Sequence, residues 1–184
     1  MVELLNRAAT EARRVRNPML FLNRFSEIHP RWHMGRRQPG FLLFHWHAVS
    51  HVRSLRINRI LGATPYTIRD FTGRGQFAEA DWNSFMGSLQ PSGSLDDLAE
   101  YSAQLENWHN IAHGVIADVT NTPAMNDFTL NVFLSIFWRL HGFINLRFEQ
   151  EMRSYAISAH PQIRSPSAIV RHIENEHHDV VGRI

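Results

Sequence analysis

The chain contains no cysteine, no lysine and no long apolar run. Without cysteine it cannot form disulfides, thiolate metal sites, iron–sulfur clusters or cysteine nucleophiles. Its apolar stretches stay short of the roughly 18 consecutive residues that a membrane span needs. Its first residues are charged and amphipathic and lack the apolar centre of a signal peptide. We therefore expect no membrane partner and no secretion signal; the compartment stays open, with the cytoplasm as the default.

The basic residues give little indication of a nucleic-acid partner. All 19 are arginines, but 17 carboxylates reduce the formal net charge to +2. Arginine clusters at 13 to 16 and at 36 to 37 are better explained by solvated helix faces than by a binding patch. We expect no nucleic-acid partner.

Length and composition predict one globular domain over residues 1–184. The chain has 184 residues, of which 43% are hydrophobic, and this is enough for one core. Apolar positions recur mostly with helical spacing, and loops are predicted at 62 to 75 and 90 to 93. The predicted helices lie near 2 to 16, 18 to 29, 40 to 61, 79 to 88, 94 to 118, 128 to 156 and 166 to 181.

Three local signals mark helix starts. Pro18 suits a first helical position, Ser94 with Asp97 resembles a capping box, and Asp127 is a candidate cap for the helix from 128. The pattern predicts an all-α fold, in which a four-helix bundle core is accompanied by peripheral helices.

Twelve histidines are an unusually large share for a chain of this length. His109 and His113 are four residues apart and therefore lie on one face of a helix. His141 shares a face of the next long helix with Phe137 and Asn145. A single buried histidine is usually satisfied by hydrogen bonds, but a metal ion would satisfy three converging imidazoles at once. The spacing therefore predicts a metal site inside a helical bundle.

The segment around these histidines resembles the second copper site of type 3 copper proteins. The likeness is greatest to arthropod haemocyanins and phenoloxidases, is more distant to tyrosinases, and covers about 45 residues. The residues that fit that pattern in order are His109, Asn110, His113, Pro123, Met125, Asp127, Phe137, Arg139, His141, Phe143 and Ile144.

The resemblance implies a first copper site upstream with three more histidines. In the tyrosinase pattern these are His29, His33 and His45, with His33 in a loop. A register closer to haemocyanin places His47 third instead of His45. Helix geometry favours His45, because His47 points roughly 160° away from it. His47 and His51 form a further pair four residues apart, whose role stays open.

The resemblance further implies two copper ions, with O2 as co-substrate. The expected activity is the oxidation of phenols, catechols or ortho-aminophenols, so a small aromatic molecule is the expected substrate. Asn110 resembles an asparagine that helps a carboxylate to orient a water molecule, and Glu106 and Glu100 are both candidates for that carboxylate. A copper-delivery protein or a second copy of the chain would be a further partner.

Two other functions remain open at the level of sequence. The spacing of Glu106 and His109 resembles half of a ferritin-like site, which would make the chain a non-haem di-iron oxygenase. Such sites need a second Glu-x-x-His and two further inward glutamates, and the helix that carries His141 shows no such pattern. The other alternative is a non-enzymatic protein that binds O2 or copper.

Overall fold

The fold is all-α, as predicted. The computed structural model describes residues 16–35, 41–71, 75–77 and 95–159, together with 162, 165, 167–168 and 170–171, and contains no strand in these parts. Two short 3-10 helices, Pro123–Asn126 and Asn131–Phe133, lie between the last two α-helices. The α-helices are α1 (Pro18–Gly35), α2 (Phe41–Ser54), α3 (Ile57–Ile60), α4 (Ile68–Phe71), α5 (Leu95–Val119) and α6 (Ser135–Ala159).

Helices α1, α2, α5 and α6 form the bundle. The rings of His45 and His141 stack at 4.8 Å, and Arg53 contacts Glu149 at 3.4 Å. Both pairs are 96 residues apart in sequence, so α2 and α6 run parallel and in register over about 12 Å. Helix α1 runs antiparallel to α2, because Phe21 contacts His51 while His29 contacts His45.

Helix α5 runs antiparallel to α6. Trp108 contacts Phe143 at 5.5 Å, and further along α5 His113 contacts Phe137 at 5.9 Å. The interior between the four helices is built largely from buried aromatic and aliphatic side chains. The four helices therefore place the middle of each apolar stripe at a common centre.

The predicted start of α1 is confirmed, but its predicted end is not. The helix begins at Pro18, and the Asn17 side chain caps it by accepting a hydrogen bond from the Leu20 amide at 3.0 Å. The prediction that it ends near 29 is wrong, because the helix continues through Pro30 to Gly35. Proline removes one amide donor, yet here the helical path is kept. His33 therefore lies on the helix and not in a loop.

Two other predicted boundaries also differ. The helix predicted over 40 to 61 is interrupted after Ser54, since Arg56 adopts a left-handed conformation with φ of 57°. The prediction of a helix from 128 is wrong at its start, because α6 begins at Ser135. Asp127 does not cap that helix. Its carboxylate accepts hydrogen bonds from the Thr129 amide and hydroxyl, at 2.8 and 2.6 Å, and so shapes the turn before α6.

The chain between α3 and α6 packs closely against α6. The Tyr66 amide donates to the Arg139 carbonyl at 3.1 Å, and the Arg139 side chain donates to the Thr64 carbonyl at 3.0 Å. A Cβ atom at Gly142 would lie only 2.8 Å from Pro65. The loop predicted over 62 to 75 is also not wholly irregular, because it contains α4.

Several predictions fall outside the described residues. These are the helices at 2 to 16 and 79 to 88, the loop at 90 to 93, most of the helix at 166 to 181, and the capping box, of which Ser94 and the side chain of Asp97 are not described. The extent of α5 agrees with prediction to within one residue. Within the described ranges, no helix is both long enough and apolar enough to cross a membrane.

Candidate metal centre

Five histidines from all four bundle helices meet at the centre of the molecule. All five are buried, and none is more than 5% exposed. They form two groups that share one member. We name them the first triad (His29, His45 and His141) and the second triad (His109, His113 and His141). Within each triad, one ring nitrogen per residue lies within 4.8 Å of the others.

Each ring is fixed by an oxygen atom that contacts its Nδ1. For His45 and His141 the oxygen is the carbonyl one turn earlier in the same helix, of Phe41 and Phe137, both at 2.8 Å. The His113 Nδ1 lies 2.7 Å from the Met125 carbonyl, and the His29 Nδ1 lies 3.3 Å from the Phe128 carbonyl. The His109 Nδ1 lies 3.1 Å from the Asn110 side-chain oxygen.

These anchors determine which nitrogen of each ring carries the proton. Carbonyl and amide oxygens can only accept hydrogen bonds, so Nδ1 must be the donor. In a neutral imidazole the lone pair is then on Nε2. Histidines that bind metals are held in this way, with the second ring nitrogen donating to an oxygen. The five rings are therefore in the tautomer that a metal bound through Nε2 requires.

The Nε2 atoms of His109 and His141 lie only 3.1 Å apart. Two neutral rings with protonated Nδ1 atoms would direct two lone pairs at each other, which is repulsive unless a cation lies between them. An ion that binds imidazole nitrogens at about 2.0–2.1 Å with tetrahedral angles holds them roughly 3.3 Å apart. The separation therefore fits two ligands of one metal ion.

Burial favours the neutral form of His113 and His141. Loss of solvation lowers the pKa of His113 to about 4, although its hydrogen bond to Met125 opposes the shift. The pKa of His141 is lowered well below its usual value by burial first, and then by the neighbouring histidines 45, 113 and 29. The His113 Nε2 is also buried and has no hydrogen-bond partner among the described residues. A metal ion would satisfy it.

An aromatic shell surrounds the histidines. Phe137 stacks on His141 at 3.8 Å, and Phe41 contacts His45 and His109 at 4.3 and 4.9 Å. Phe128 lies edge-on to His29 at 5.9 Å and is 37% exposed. The shell excludes water from most of the centre, and Phe128 marks its side towards solvent.

The structure brings together five of the six histidines predicted as ligands. The sixth, His33, lies on α1, but its side chain is outside the described residues. His47 joins neither triad; it is partly buried beside Trp46 at 5.1 Å. His51 packs against Phe21. The sequence allowed two registers, with either His45 or His47 at the centre, and the structure places His45 there.

The residues expected to assist catalysis differ in their surroundings. Asn110 is exposed, and its amide oxygen holds the His109 ring. Glu106 is half-buried one turn before His109, and burial raises the pKa of its carboxyl. Glu100 is exposed and accepts a hydrogen bond from Gln104 at 3.1 Å. Of the two carboxylates that were left open, Glu106 is half-buried and Glu100 is exposed.

Sequence reasoning missed Asn131 and the main-chain anchors. Asn131 is wholly buried, and its side-chain nitrogen donates to the Met125 carbonyl at 3.3 Å. The only signal for it is a polar residue in an otherwise apolar surrounding. Carbonyl groups carry no side-chain signal, so the oxygens of Met125 and Phe128 could not be identified as anchors.

Comparison of the chain with known proteins found no similar protein. No protein-family model matches the chain, and no curated protein and no solved structure matches it.

Proposed function

We propose that this protein is a binuclear copper oxidoreductase that uses O2 to oxidise phenols, catechols or ortho-aminophenols. The observation that carries the proposal is the close approach of the His109 and His141 Nε2 atoms, at 3.1 Å, while both Nδ1 atoms face oxygen acceptors. Two lone pairs at this distance repel each other, and a cation between them would remove the repulsion. The resemblance to type 3 copper proteins supports copper as this cation.

The division of the histidines supports two ions. The five rings form two groups that share His141, and not one group of five. An Nε2 atom has one lone pair, so His141 can bind only one of the two ions. The second triad can then hold that ion, and His29 with His45 are left to hold the other, with His33 as the proposed third ligand.

The donor set supports copper over the di-iron alternative. Imidazole nitrogen suits copper, whereas ferritin-like di-iron sites are built mainly from glutamates. No aspartate or glutamate joins either triad among the described residues. Glu106, the residue whose spacing from His109 suggested a di-iron site, belongs to neither triad.

When bound, two copper ions would supply two-electron redox chemistry with O2. In the oxidation that we propose, two catechols and one O2 yield two ortho-quinones and two water molecules. Four electrons and four protons pass from the two catechols to the two oxygen atoms. A phenol reacts with one O2 to give one ortho-quinone and one water.

The protein's own residues would orient the ligands and handle protons. The carbonyl anchors would hold the rings and the aromatic shell would limit access of water. We assign Phe128, the exposed member of that shell, to contact an incoming aromatic substrate. Glu106 is the group that we assign to take the phenolic proton, because its raised pKa makes its carboxylate a stronger base.

The test combines metal analysis with oxygen uptake. Protein loaded with copper should hold two ions per chain and consume O2 with catechol, and His141→Ala should lose at least one ion and the activity. His47→Ala, which changes a histidine outside both triads, is the matched control and should keep both. Two irons in place of copper would reject the proposal, and two coppers without turnover would favour an O2 or copper carrier.

A further inference from the structure

The segment between α5 and α6, residues 120–134, holds one histidine of each triad. The Met125 carbonyl accepts from the His113 Nδ1 at 2.7 Å, and the Phe128 carbonyl accepts from the His29 Nδ1 at 3.3 Å. His113 belongs only to the second triad and His29 only to the first. The two carbonyls are three residues apart, so a shift of this segment would move both rings.

Asn131 fixes this segment from inside. Its side chain is wholly buried, and its Nδ2 donates to the Met125 carbonyl, the same oxygen that holds His113. The carbonyl has two lone pairs, so it accepts both bonds at once. The Asn131 amide therefore limits the directions in which this carbonyl, and with it the His113 ring, can point.

The remaining bonds of the segment leave it little freedom. The Asn131 main-chain amide donates to the Asp127 carbonyl at 2.8 Å, and Trp138 donates to the Val132 carbonyl at 2.7 Å. Asp127 closes the turn that carries Phe128. Asn131 is thus a side chain of the segment that donates a hydrogen bond directly to a histidine anchor.

The Asn131 Oδ1 points to a role other than packing. It is buried and has no hydrogen-bond partner among the described residues. An apolar side chain of the same shape would avoid that cost. Asn131 therefore leaves one buried acceptor unpaired, while its amide donates to the Met125 carbonyl, the oxygen that orients the His113 ring.

We propose that Asn131 is a positioning residue for the metal centre, acting on His113 through the Met125 carbonyl and on His29 through the shared segment. This rests on the proposed function in that it takes the two triads as metal ligands. It adds that the two triads are coupled. An ion that orders the segment at one triad reduces the ordering needed at the other, so the two ions should bind cooperatively.

The main test is metal affinity, measured with cupric and zinc ions by competition against a chelator. Asn131→Leu, which keeps the shape and removes the donor, should lower the affinity of the second triad about 10- to 100-fold, the usual effect of losing a partner behind a ligand. It should also abolish cooperativity between the ions, although the hydrogen bonds of Asn131 in the described part of the chain reach no histidine of the first triad. Asn126→Asp, an exposed change in the same segment, is the matched control and should alter neither.

A second measurement does not depend on copper. In the metal-free protein, nitrogen NMR of the His113 ring should show the Nδ1–H tautomer and a proton protected from exchange. Asn131→Leu and the smaller Asn131→Ser should both give a tautomer mixture and faster exchange, with helical circular dichroism retained. Unchanged tautomer and affinity in both variants would overturn the inference. Zinc binding and NMR changes without copper activity would overturn the proposed function and leave this inference standing.

Discussion

The behaviour of single residues here follows from burial of neutral imidazoles. Five rings that could each carry a charge lie in an aromatic shell, where the charged form loses its solvation. At His113 and His141 the fold therefore favours the neutral ring, which can bind a metal ion, over the protonated ring. This preference should appear in the stability of the metal-free protein.

The metal-free protein should lose stability as the pH falls from 7 to 4. In the unfolded chain His113 titrates near 6.5, but in the fold its pKa is about 4. Between these values the unfolded state binds more protons, so stability increases with pH across this window and is lost on acidification. The shift corresponds to about 3 kcal/mol for His113 alone.

Urea unfolding of the metal-free protein at pH 7, 5.5 and 4 measures this effect. The variant His113→Leu should show a flatter dependence, because the titrating ring is gone. A wild-type free energy of unfolding that stays constant over this range would contradict the burial of the ring.

At the scale of elements, the position of α6 depends on the close approach of the segment that contains Pro65 and Tyr66. Next to His141, Gly142 faces Pro65, and the Tyr66 amide bonds to the Arg139 carbonyl on the same helix. Arg139 also lies over the Tyr66 ring at 4.1 Å. The segment before α4 thus packs closely against the helix that carries His141, the histidine that both triads share.

Substitution of Gly142 by alanine should destabilise the protein by about 1–3 kcal/mol, the usual cost of overpacking. The added Cβ would lie 2.8 Å from the Pro65 ring, so the ring or the helix must shift. Gly114→Ala is the matched control, because this glycine also follows a histidine on a bundle helix and a Cβ there meets nothing within 4 Å.

Alanine at 114 should be neutral or stabilise the protein by up to about 1 kcal/mol, through helix propensity. Thermal unfolding of the two variants, compared side by side, measures the difference. Equal effects at the two positions would show that Pro65 does not limit the position of α6.

For the whole molecule, the bundle and most of the cluster were predictable from helical periodicity. Histidines four residues apart on an apolar face predicted buried rings, and α5 matched its predicted extent. The sharing of His141 between two groups was not predictable, because it depends on the register of α2 against α6. The end of α1 was missed because Pro30 is a local signal for a break, and the helical path continues through it.

Binding of metal should stabilise the whole bundle, because its four helices all contribute histidines to the two triads. A ligand at 100 times its dissociation constant adds about 2.7 kcal/mol, which for a chain of this size corresponds to an increase of roughly 5–10 °C in melting temperature. Calorimetry with copper added, and again after a chelator, measures this increase.

The increase should be reversed by the chelator and much reduced in His141→Ala. An increase of the same size in that variant would mean that the metal binds elsewhere on the chain.

Four of the five ring anchors are main-chain oxygens, and this affects how such a centre can change during evolution. Replacing Phe41, Met125, Phe128 or Phe137 alters a side chain but leaves its carbonyl in place. The orientation of those rings therefore depends on the path of the backbone, and a substitution at any of these four residues does not remove the oxygen that anchors the ring. His109 is the exception, since its anchor is the side chain of Asn110. A single codon change at position 110 can therefore remove the anchor of His109, while the anchors of the other four rings stay in place.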